Sequence, residues 1–328
     1  MTTLAFQNIH VPSPGYGAMS LSHAYGPADD DESIRVLKTA LDSGCTFWDT
    51  AVVYGMGHNE SLIGRFLKEN PDAREKLFIA SKCGWDLDFE KKENHGVTNK
   101  VAHIQEYIQG TIKRLGTTPD LYYLHRMKPE ETPLSESIAA LDGLKKAGKC
   151  KYIGLSEPSA RTLRKACEVA HIDAIQIEYS PWFIDHERDG LIDAARELGV
   201  SIVAYSPLGK GLLTGKHRDA SAFSKDIRGT APRYTGENFD KNLALVDEFE
   251  RLAKSKGCTP GQLSLAWVAA QGAIPIPGTK NADRVKENWG ANKVTLTEGE
   301  LKEIRKVIQE NEPVGDRYAE GHMALVGK

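Results

Sequence analysis

The amino-acid sequence predicts an α/β protein built as a closed (β/α)8 barrel, the TIM-barrel architecture. Seven short apolar runs recur along the 328 residues, each rich in Ile, Val, Phe or Tyr, and stretches with helical periodicity separate them. Buried strands alternating with amphipathic helices require a parallel sheet with right-handed crossovers. A weaker run near the N-terminus would complete eight strands, whereas an open doubly wound sheet is the alternative.

The predicted strands lie at 45–50, 77–82, 120–125, 151–156, 174–180, 201–207 and 273–278, with the weaker first run at 15–19. Apolar residues at i, i+3, i+4 and i+7 predict helices over 33–41, 103–115, 135–146, 160–169, 188–198 and 260–271. The connection at 208–272 is the longest, and its first half is rich in Gly, Ser, Lys and Arg without a helical period. We therefore expect a long functional loop after the seventh strand. No linker or repeat divides the chain, so residues 1–328 are expected to form a single barrel domain.

The overall composition argues against several classes of protein. The formal net charge is −3 and no stretch is strongly basic, so neither nucleic acid nor a membrane is an expected partner. The N-terminus lacks a secretory signal pattern, and no run of 18 apolar residues occurs. Five cysteines without a CxxC pair and ten scattered histidines predict reduced thiols and no metal site. We expect a cytoplasmic protein that is a monomer or a weak homo-oligomer.

Polar residues close several of the predicted strands. Asp49, Lys82 and His125 each end a strand, and Tyr54 follows Asp49 by five positions. In barrels of this class, the C-terminal ends of the strands and the loops after them form the active site. Each residue alone has an ordinary structural explanation, such as a turn cap, a solvated strand end or a hydrogen-bonded core histidine. Because charged groups are rarely buried together without a purpose, we predict that these four residues form one catalytic group.

These motifs together resemble the aldo-keto reductase superfamily over nearly the whole chain. FWDTAVVYG at 47–55 is similar to the family signature that supplies Asp49 and Tyr54, while the family lysine falls on Lys82 and its histidine on His125 in YYLHR. The motifs are most similar to those of the branch that includes perakine reductase and the fungal pyridoxal reductases. The resemblance implies NADPH-dependent reduction of aldehydes, with ketones as a further class. The other similar segments are GLSE (154–157), QIEYSP (176–181), AYSPLGKGLLTGK (204–216) and PIPGTKNADRVKEN (275–288).

The chemistry implied for the four residues is hydride delivery to a carbonyl carbon, with Tyr54 protonating the oxygen. Tyrosine has an unperturbed pKa of about 10. We expect the Lys82 ammonium to lower the pKa of Tyr54, and Asp49 to keep Lys82 charged. His125 is expected to donate a hydrogen bond to the substrate carbonyl oxygen. No side chain supplies a hydride, so a cofactor must provide it.

The resemblance also implies a set of NADPH contacts. Ser156 and Gln176 match the partners of the nicotinamide carboxamide, and Tyr205 matches the stacking aromatic. If GTK at 278–280 opens a helix, Lys280 and Arg284 share one helical face and can hold a 2′-phosphate, which favours NADPH over NADH. The remaining matched positions are Ala18, Met19 and Asp49 near the first two strands, Ser206, Pro207, Leu208, Gly209, Gly211, Lys216 and Arg228 after the seventh, and Gly278, Thr279, Glu287 and Asn288 after the eighth.

Two positions depart from the family pattern. Glu157 stands where the family often has Asn; a Glu at this position also occurs in the perakine reductase-like branch, so cofactor binding is expected to survive the change. Ala18 stands where Thr is common, which leaves backbone contacts alone near the nicotinamide. Cys83, next to Lys82, is either a low-pKa thiol or a small buried side chain, and we favour the second. Four aromatic residues after strands either line an apolar substrate pocket or cover the barrel rim: Trp85, Trp182, Phe183 and Tyr234.

Two other functions are compatible with a barrel of this kind. A regulatory NADPH-binding subunit of the potassium-channel β type shares the fold, but that group tends to lose the histidine that is His125 here. A lyase or isomerase acting on sugar phosphates would not need Lys280 and Arg284. The glycines at 209–215 are spaced one residue too far apart for a Rossmann fingerprint, and no helix is predicted after them. The sequence leaves the substrate open among small or aromatic aldehydes, pyridoxal and sugar-derived aldehydes.

Overall fold

The computed structural model describes residues 2–22, 26–224 and 226–327. In chain order, the strands in these ranges are β1 (Thr3–Phe6), β2 (Ile9–Pro12), β3 (Tyr16–Gly17), β4 (Phe47–Asp49), β5 (Phe78–Cys83), β6 (Trp85–Asp88), β7 (Glu93–Val97), β8 (Leu121–Leu124), β9 (Tyr152–Ser156), β10 (Ala174–Glu178), β11 (Ser201–Tyr205) and β12 (Ala273–Pro275).

The α-helices follow the strands in regular alternation through most of the chain. They are α1 (Asp30–Ser43), α2 (His58–Glu69), α3 (Val101–Leu115), α4 (Leu134–Lys146), α5 (Ala160–Val169), α6 (Leu191–Glu197), α7 (Gly236–Lys256), α8 (Pro260–Ala270), α9 (Ala282–Trp289), α10 (Glu298–Glu310) and α11 (Glu320–Met323).

Eight strands form one parallel sheet in the order β3-β4-β5-β8-β9-β10-β11-β12. Two backbone hydrogen bonds connect the two end strands of this sheet, β3 and β12. They run from Gly15 N to Pro275 O (2.9 Å) and from Gly17 N to Pro277 O (3.2 Å). The sheet therefore closes on itself, and the predicted (β/α)8 class is confirmed. The hairpins β1-β2 and β6-β7 lie outside this sheet.

Local sequence explains where the outer helices begin and end. The Asp29 carboxylate caps α1 by accepting a hydrogen bond from Glu32 N, and the helix ends at Gly44 with a φ of 90°. Thr259 and Gln262 form a reciprocal capping box at the start of α8. No helix in the described ranges is long and apolar enough to span a bilayer.

The connection after the seventh strand differs in part from the prediction. Residues 208–224 and 226–235, most of its first half, contain no α-helix, as expected, and are built from short 3-10 turns at 209–214, 220–223, 227–230 and 232–234. The rest of the connection contains α7, which the sequence patterns did not predict. The buried residues of that helix recur at helical spacing, namely Phe239, Asn242, Leu245, Val246, Phe249, Leu252 and Ala253. The sequence patterns also did not predict the helices α2, α10 and α11.

A buried ion cluster fixes the C-terminal tail against the barrel. Arg317 donates to Glu157 Oε2 (2.6 Å) and to Glu178 Oε2 (3.3 Å), and their exposed side-chain fractions are 5%, 0% and 1%. Glu157 also accepts a hydrogen bond from Glu178 N (2.7 Å), and its carbonyl oxygen accepts one from Gly327 N (3.1 Å). The tail is thereby fixed at the C-terminal ends of β9 and β10.

His186 completes this cluster and contacts the same Glu157 oxygen as Arg317. Its ring nitrogens lie 3.5 Å from Glu157 Oε2 and 2.7 Å from Asp189 Oδ2. Burial opposes a charge on His186, but the two carboxylates outweigh that effect and raise its pKa to about 9. The imidazolium is therefore part of the folded structure at neutral pH.

Close packing inside the barrel predicts that Gly154 tolerates no side chain. A Cβ there would lie 2.4 Å from Tyr123 Cδ1 and 2.7 Å from the Ala174 carbonyl oxygen. We expect Gly154→Ala to lower the free energy of unfolding by about 1–3 kcal/mol, measured by denaturant unfolding. The control is Gly143→Ala in α4, where a Cβ meets no atom within 4 Å beyond its own helix and stability should rise by about 0.5–1 kcal/mol. Equal stability of the two variants would contradict this packing.

The His186 cluster predicts a pH-dependent contribution to stability. Because its folded pKa of about 9 exceeds the ordinary value of 6.5, charged His186 stabilises the fold fully below pH 6.5. This contribution is lost as the pH rises through about 9. We expect His186→Gln to lower the free energy of unfolding by about 1–3 kcal/mol at pH 6 and by much less at pH 10. Unfolding curves across this pH range, with the exposed His95→Gln as control, measure it, and a pH-independent difference would be evidence against the cluster.

Candidate active site

The candidate site lies at the C-terminal ends of the barrel strands, around a buried lysine. Lys82 near the end of β5 is 0% exposed, and its Nζ donates to Asp49 Oδ1 at the end of β4 and to the Thr50 carbonyl oxygen (2.8 Å). The other carboxylate oxygen of Asp49 accepts a hydrogen bond from Gln176 Nε2 on β10 (2.7 Å). Two of the predicted catalytic residues thus form one ion pair inside the barrel.

The charge of Lys82 is maintained by its neighbours. Burial opposes the ammonium form, but Asp49 and Tyr54 outweigh burial, so the pKa of Lys82 lies above its ordinary value. A protonated lysine with a paired carboxylate is the arrangement in which a charge can persist in a barrel interior.

Tyr54 lies on the loop that follows β4, above Lys82. Its Oη accepts a hydrogen bond from Lys82 Nζ at 3.4 Å, and the ammonium lies 5.0 Å from the ring centroid. Burial raises the pKa of Tyr54, and the opposing effect of Lys82 is smaller. The expectation that Lys82 brings this pKa below its ordinary value is therefore wrong, because desolvation of the phenolate outweighs the attraction of the ammonium. At neutral pH the hydroxyl keeps its proton.

A buried asparagine fixes the loop that presents Tyr54. Asn59 is 0% exposed, and its Nδ2 donates to Ala18 O (2.9 Å) and Ser22 Oγ (2.7 Å). Its Oδ1 accepts a hydrogen bond from Thr50 Oγ1 (2.6 Å). Every polar group of the Asn59 amide is thereby satisfied, which gives the loop one well-defined position.

His125 follows β8 and completes the predicted group. Its ring meets the ring of Tyr54 edge-on at 5.8 Å and that of Trp85 at 6.1 Å between centroids. Burial, together with the charges of Arg126 and Lys82, holds the pKa of His125 well below its ordinary value. The imidazole is therefore neutral, and its buried Nδ1 has no hydrogen-bond partner among the described residues. A neutral ring has one N–H, which it can donate to an oxygen.

The strand ends next to this group hold the residues matched to the nicotinamide. Gln176 donates to Asp49, Ser156 Oγ accepts a hydrogen bond from Arg126 Nη1 (3.1 Å), and the Tyr205 hydroxyl lies 3.0 Å from the Tyr318 hydroxyl. Glu157 lies beside them, but its carboxylate is engaged by Arg317 of the tail. The ion pair with Arg317 of the C-terminal tail therefore explains why Glu157 stands where the family often has Asn.

The loop after β11 has an unusual backbone. Arg228 Nη1 donates to the Lys210 carbonyl oxygen (2.9 Å), and the Tyr234 hydroxyl donates to the Gly209 carbonyl oxygen (3.2 Å), which fixes the loop from outside. Successive peptide groups in such turns can point their N–H groups at an anion. The residues with left-handed φ in this loop are Ser206 (51°), Gly209 (56°), Lys210 (52°) and Gly211 (100°).

The segment after the last strand differs from the prediction. The helix α9 begins at Ala282, with Asn281 as its N-cap accepting a hydrogen bond from Arg284 N (3.0 Å). Lys280 therefore precedes the helix, and its Nζ donates to the Pro27 carbonyl oxygen (2.6 Å). The prediction that Lys280 and Arg284 share one helical face is wrong, because Asn281 caps the helix after the lysine. Arg284 is exposed in the first turn.

One ion pair connects the two segments matched to the adenosine side. Lys216 Nζ, on the loop after β11, lies 3.2 Å from Glu287 Oε2 on α9. Thr279 is buried, and its carbonyl oxygen accepts a hydrogen bond from the Tyr16 hydroxyl (2.6 Å). A close backbone approach explains the neighbouring glycine, since a Cβ on Gly278 would lie 2.7 Å from the Gly17 carbonyl oxygen.

The remaining candidates fall into two groups. Burial raises the pKa of the Cys83 thiol to about 12, as expected for a small buried side chain. Trp182, Phe183 and Tyr234 are almost fully buried, and the rings of Trp182 and Tyr234 lie 6.1 Å apart, whereas Trp85 lies beside His125. Across the described parts of the chain, no group of three or more His, Cys, Asp or Glu side chains is placed to hold a metal ion.

Three residues near the site were not identified from the sequence. Arg126 follows His125 directly, so a charged side chain immediately after a strand end was the available signal. Arg317 and Tyr318 come from the C-terminal tail, and they contact Glu157 and Tyr205 across more than a hundred positions. No local pattern marks such contacts.

Comparison with known proteins gives consistent matches. The model of the aldo/keto reductase family matches residues 15–309. An aldo-keto reductase of Gibberella moniliformis is 51% identical over 330 residues, which cover 99% of each chain. The NADP(+) aldo-keto reductase yakc of Schizosaccharomyces pombe is 44% identical over 320 residues, which cover 96% of this chain and 93% of that one.

Two solved structures have the same architecture. The glycerol dehydrogenase of Gluconobacter oxydans superposes with a TM-score of 0.86 at 29% identity, covering 95% of this chain and 96% of the other. A thermostable aldo-keto reductase bound to the inhibitor epalrestat superposes with a TM-score of 0.73 at 30% identity, covering 94% and 100%. With a family match over most of its length and relatives above 40% identity, this chain belongs to the aldo/keto reductase family.

Proposed function

We propose that this chain reduces aldehydes, with ketones as a further class, to alcohols with NADPH, and that Tyr54 donates the proton. As a family member, the chain is an NADP-dependent oxidoreductase. The observation that supports the proposal most directly is the 3.4 Å contact between Tyr54 Oη and Lys82 Nζ, with the neutral His125 ring 5.8 Å from the Tyr54 ring. The Tyr54 hydroxyl and the His125 N–H are two neutral hydrogen-bond donors beside the Lys82 ammonium. Together they can stabilise a carbonyl oxygen that gains negative charge during reduction.

The side chains around the catalytic group fit a phosphorylated dinucleotide. Ser156 and Gln176 offer a hydroxyl and an amide oxygen for the carboxamide, and the Tyr205 ring offers a stacking face. The left-handed loop at 206–211 offers backbone N–H groups, and Arg284 offers an exposed guanidinium in the first turn of α9. When bound, NADPH supplies the hydride.

Three side chains hold the proton, stabilise the charge and orient the substrate. Lys82 stays charged through Asp49 and favours the phenolate that Tyr54 becomes once its proton has moved to the substrate oxygen. The raised pKa of Tyr54 keeps the proton on the phenol until that transfer. His125 donates a hydrogen bond that orients the carbonyl oxygen toward Tyr54.

The presence of His125 beside Tyr54 favours an enzyme over a regulatory subunit of the channel β type. A subunit that binds cofactor without turnover has no need for a neutral imidazole next to a protonated phenol. We propose a small or aromatic aldehyde as the substrate, because Trp85 lies beside the His125 ring.

Removing the Tyr54 hydroxyl is expected to stop reduction without preventing cofactor binding. In Tyr54→Phe we expect kcat for NADPH-dependent reduction of benzaldehyde to fall about 100- to 10,000-fold, because the proton donor is lost. NADPH should still quench tryptophan fluorescence. The matched control is Tyr152→Phe, whose hydroxyl contacts Asn8 at the other end of β9 and which should keep wild-type kcat. A Tyr54→Phe rate within threefold of wild type would remove Tyr54 from the proposed role.

Arg284 is expected to distinguish the two nicotinamide cofactors. Loss of a charge-assisted hydrogen bond to a 2′-phosphate should raise KM for NADPH about tenfold or more in Arg284→Gln, while KM for NADH changes little. Arg161→Gln on the exposed face of α5 serves as the control for lost surface charge. Steady-state kinetics with both cofactors measure the effect. Equal changes for NADPH and NADH would exclude a phosphate contact at Arg284.

A further inference from the structure

The mouth of the catalytic site contains a second cation that the proposed mechanism does not use. Arg126 follows His125, and its backbone carbonyl oxygen accepts a hydrogen bond from the buried Asn99 Nδ2 (2.9 Å). Its Nη1 donates to the His125 carbonyl oxygen (2.7 Å) and to Ser156 Oγ (3.1 Å). The guanidinium is thereby fixed between the ends of β8 and β9.

The nearby carboxylates are all engaged by other cations. Asp49 pairs with Lys82, and Glu157 and Glu178 both pair with Arg317. None of the ion pairs formed within residues 2–22, 26–224 and 226–327 includes Arg126. A charged group that is largely removed from water is stabilised by an opposite charge, and the described chain provides none within ion-pair distance.

The guanidinium lies close to the reacting group. Its charge contributes to lowering the pKa of His125, and it opposes the rise in the pKa of Tyr54. Burial opposes the charge of Arg126, but Tyr205, Tyr318, Glu157 and Tyr54 together outweigh burial, so the pKa of Arg126 lies above its ordinary value. The surrounding walls are aromatic, and Arg126 adds one fixed positive charge.

We infer that Arg126 binds an anionic oxygen group, a carboxylate or a phosphate, on the carbonyl substrate. Nη1 donates to protein oxygens, whereas neither Nε nor Nη2 donates a hydrogen bond to any acceptor within residues 2–22, 26–224 and 226–327. These two nitrogens form the edge of the guanidinium that pairs with two oxygens of a carboxylate. The inference rests on the proposed function and adds a substrate class to it, namely aldehydes that also have a negatively charged group.

A pair of aldehydes of equal size tests this inference. The probes are 4-formylbenzoate and its neutral amide, 4-formylbenzamide, each reduced with NADPH. We expect wild type to have a higher kcat/KM for the carboxylate, and Arg126→Met to lower the carboxylate-to-amide ratio of kcat/KM about 10- to 100-fold, mainly through KM. Arg126→Lys should retain part of the preference, because it keeps the charge but not the two-pronged geometry.

The carboxylate-to-amide ratio of kcat/KM distinguishes a loss of anion binding from a general loss of activity. Lys128→Met, which removes a partly exposed charge two positions further along that pairs with Glu131, is the control for long-range electrostatics and should leave the ratio unchanged. If Arg126→Met lowered kcat/KM for both aldehydes equally, Arg126 would serve to position Ser156, and the inference would be overturned. A wild-type ratio near one would overturn it as well. Wild-type reduction of the neutral amide tests the proposed function separately, since that reaction requires no anion site.

Discussion

The structure depends on one ammonium group buried inside the barrel. Removing a charged amine from water costs several kcal/mol unless an opposite charge and hydrogen-bond acceptors surround it. Asp49 on the neighbouring strand supplies the charge, and the Thr50 carbonyl oxygen supplies a further acceptor. The barrel makes this pairing available, because the register of β4 with β5 aligns Asp49 with Ala80, two residues before Lys82 and on the same face of the strand.

That charge determines the protonation of the groups above it. The Lys82 ammonium contributes to keeping His125 neutral and opposes the burial that raises the pKa of Tyr54. Both side chains can therefore donate a hydrogen bond at neutral pH, which is what a carbonyl oxygen gaining negative charge requires. Gln176 connects the Asp49 carboxylate to the opposite side of the barrel, so the ion pair also orients a residue matched to the nicotinamide.

Local patterns predicted the barrel well because its strands are short, apolar and buried on both faces, as in β5 and β10. They predicted that Asp49, Lys82 and His125 lie close together, because these residues end strands whose C-terminal edges must meet. What escaped prediction depends on contacts distant in sequence. Burial decides the pKa of Tyr54, the Asn281 cap separates Lys280 from α9, and Arg317 reaches Glu157 across 160 positions. None of these is visible in a short window of sequence.

The rate of hydride transfer after both buried charges are removed tests the role of the Lys82 ammonium most directly. In Lys82→Met/Asp49→Asn neither charge is left unpaired, so the barrel should remain folded by circular dichroism. In a single turnover at saturating NADPH, we expect the folded double variant to oxidise NADPH with benzaldehyde at least about 100-fold more slowly than wild type. A rate within threefold of wild type would contradict the central role of the Lys82 ammonium.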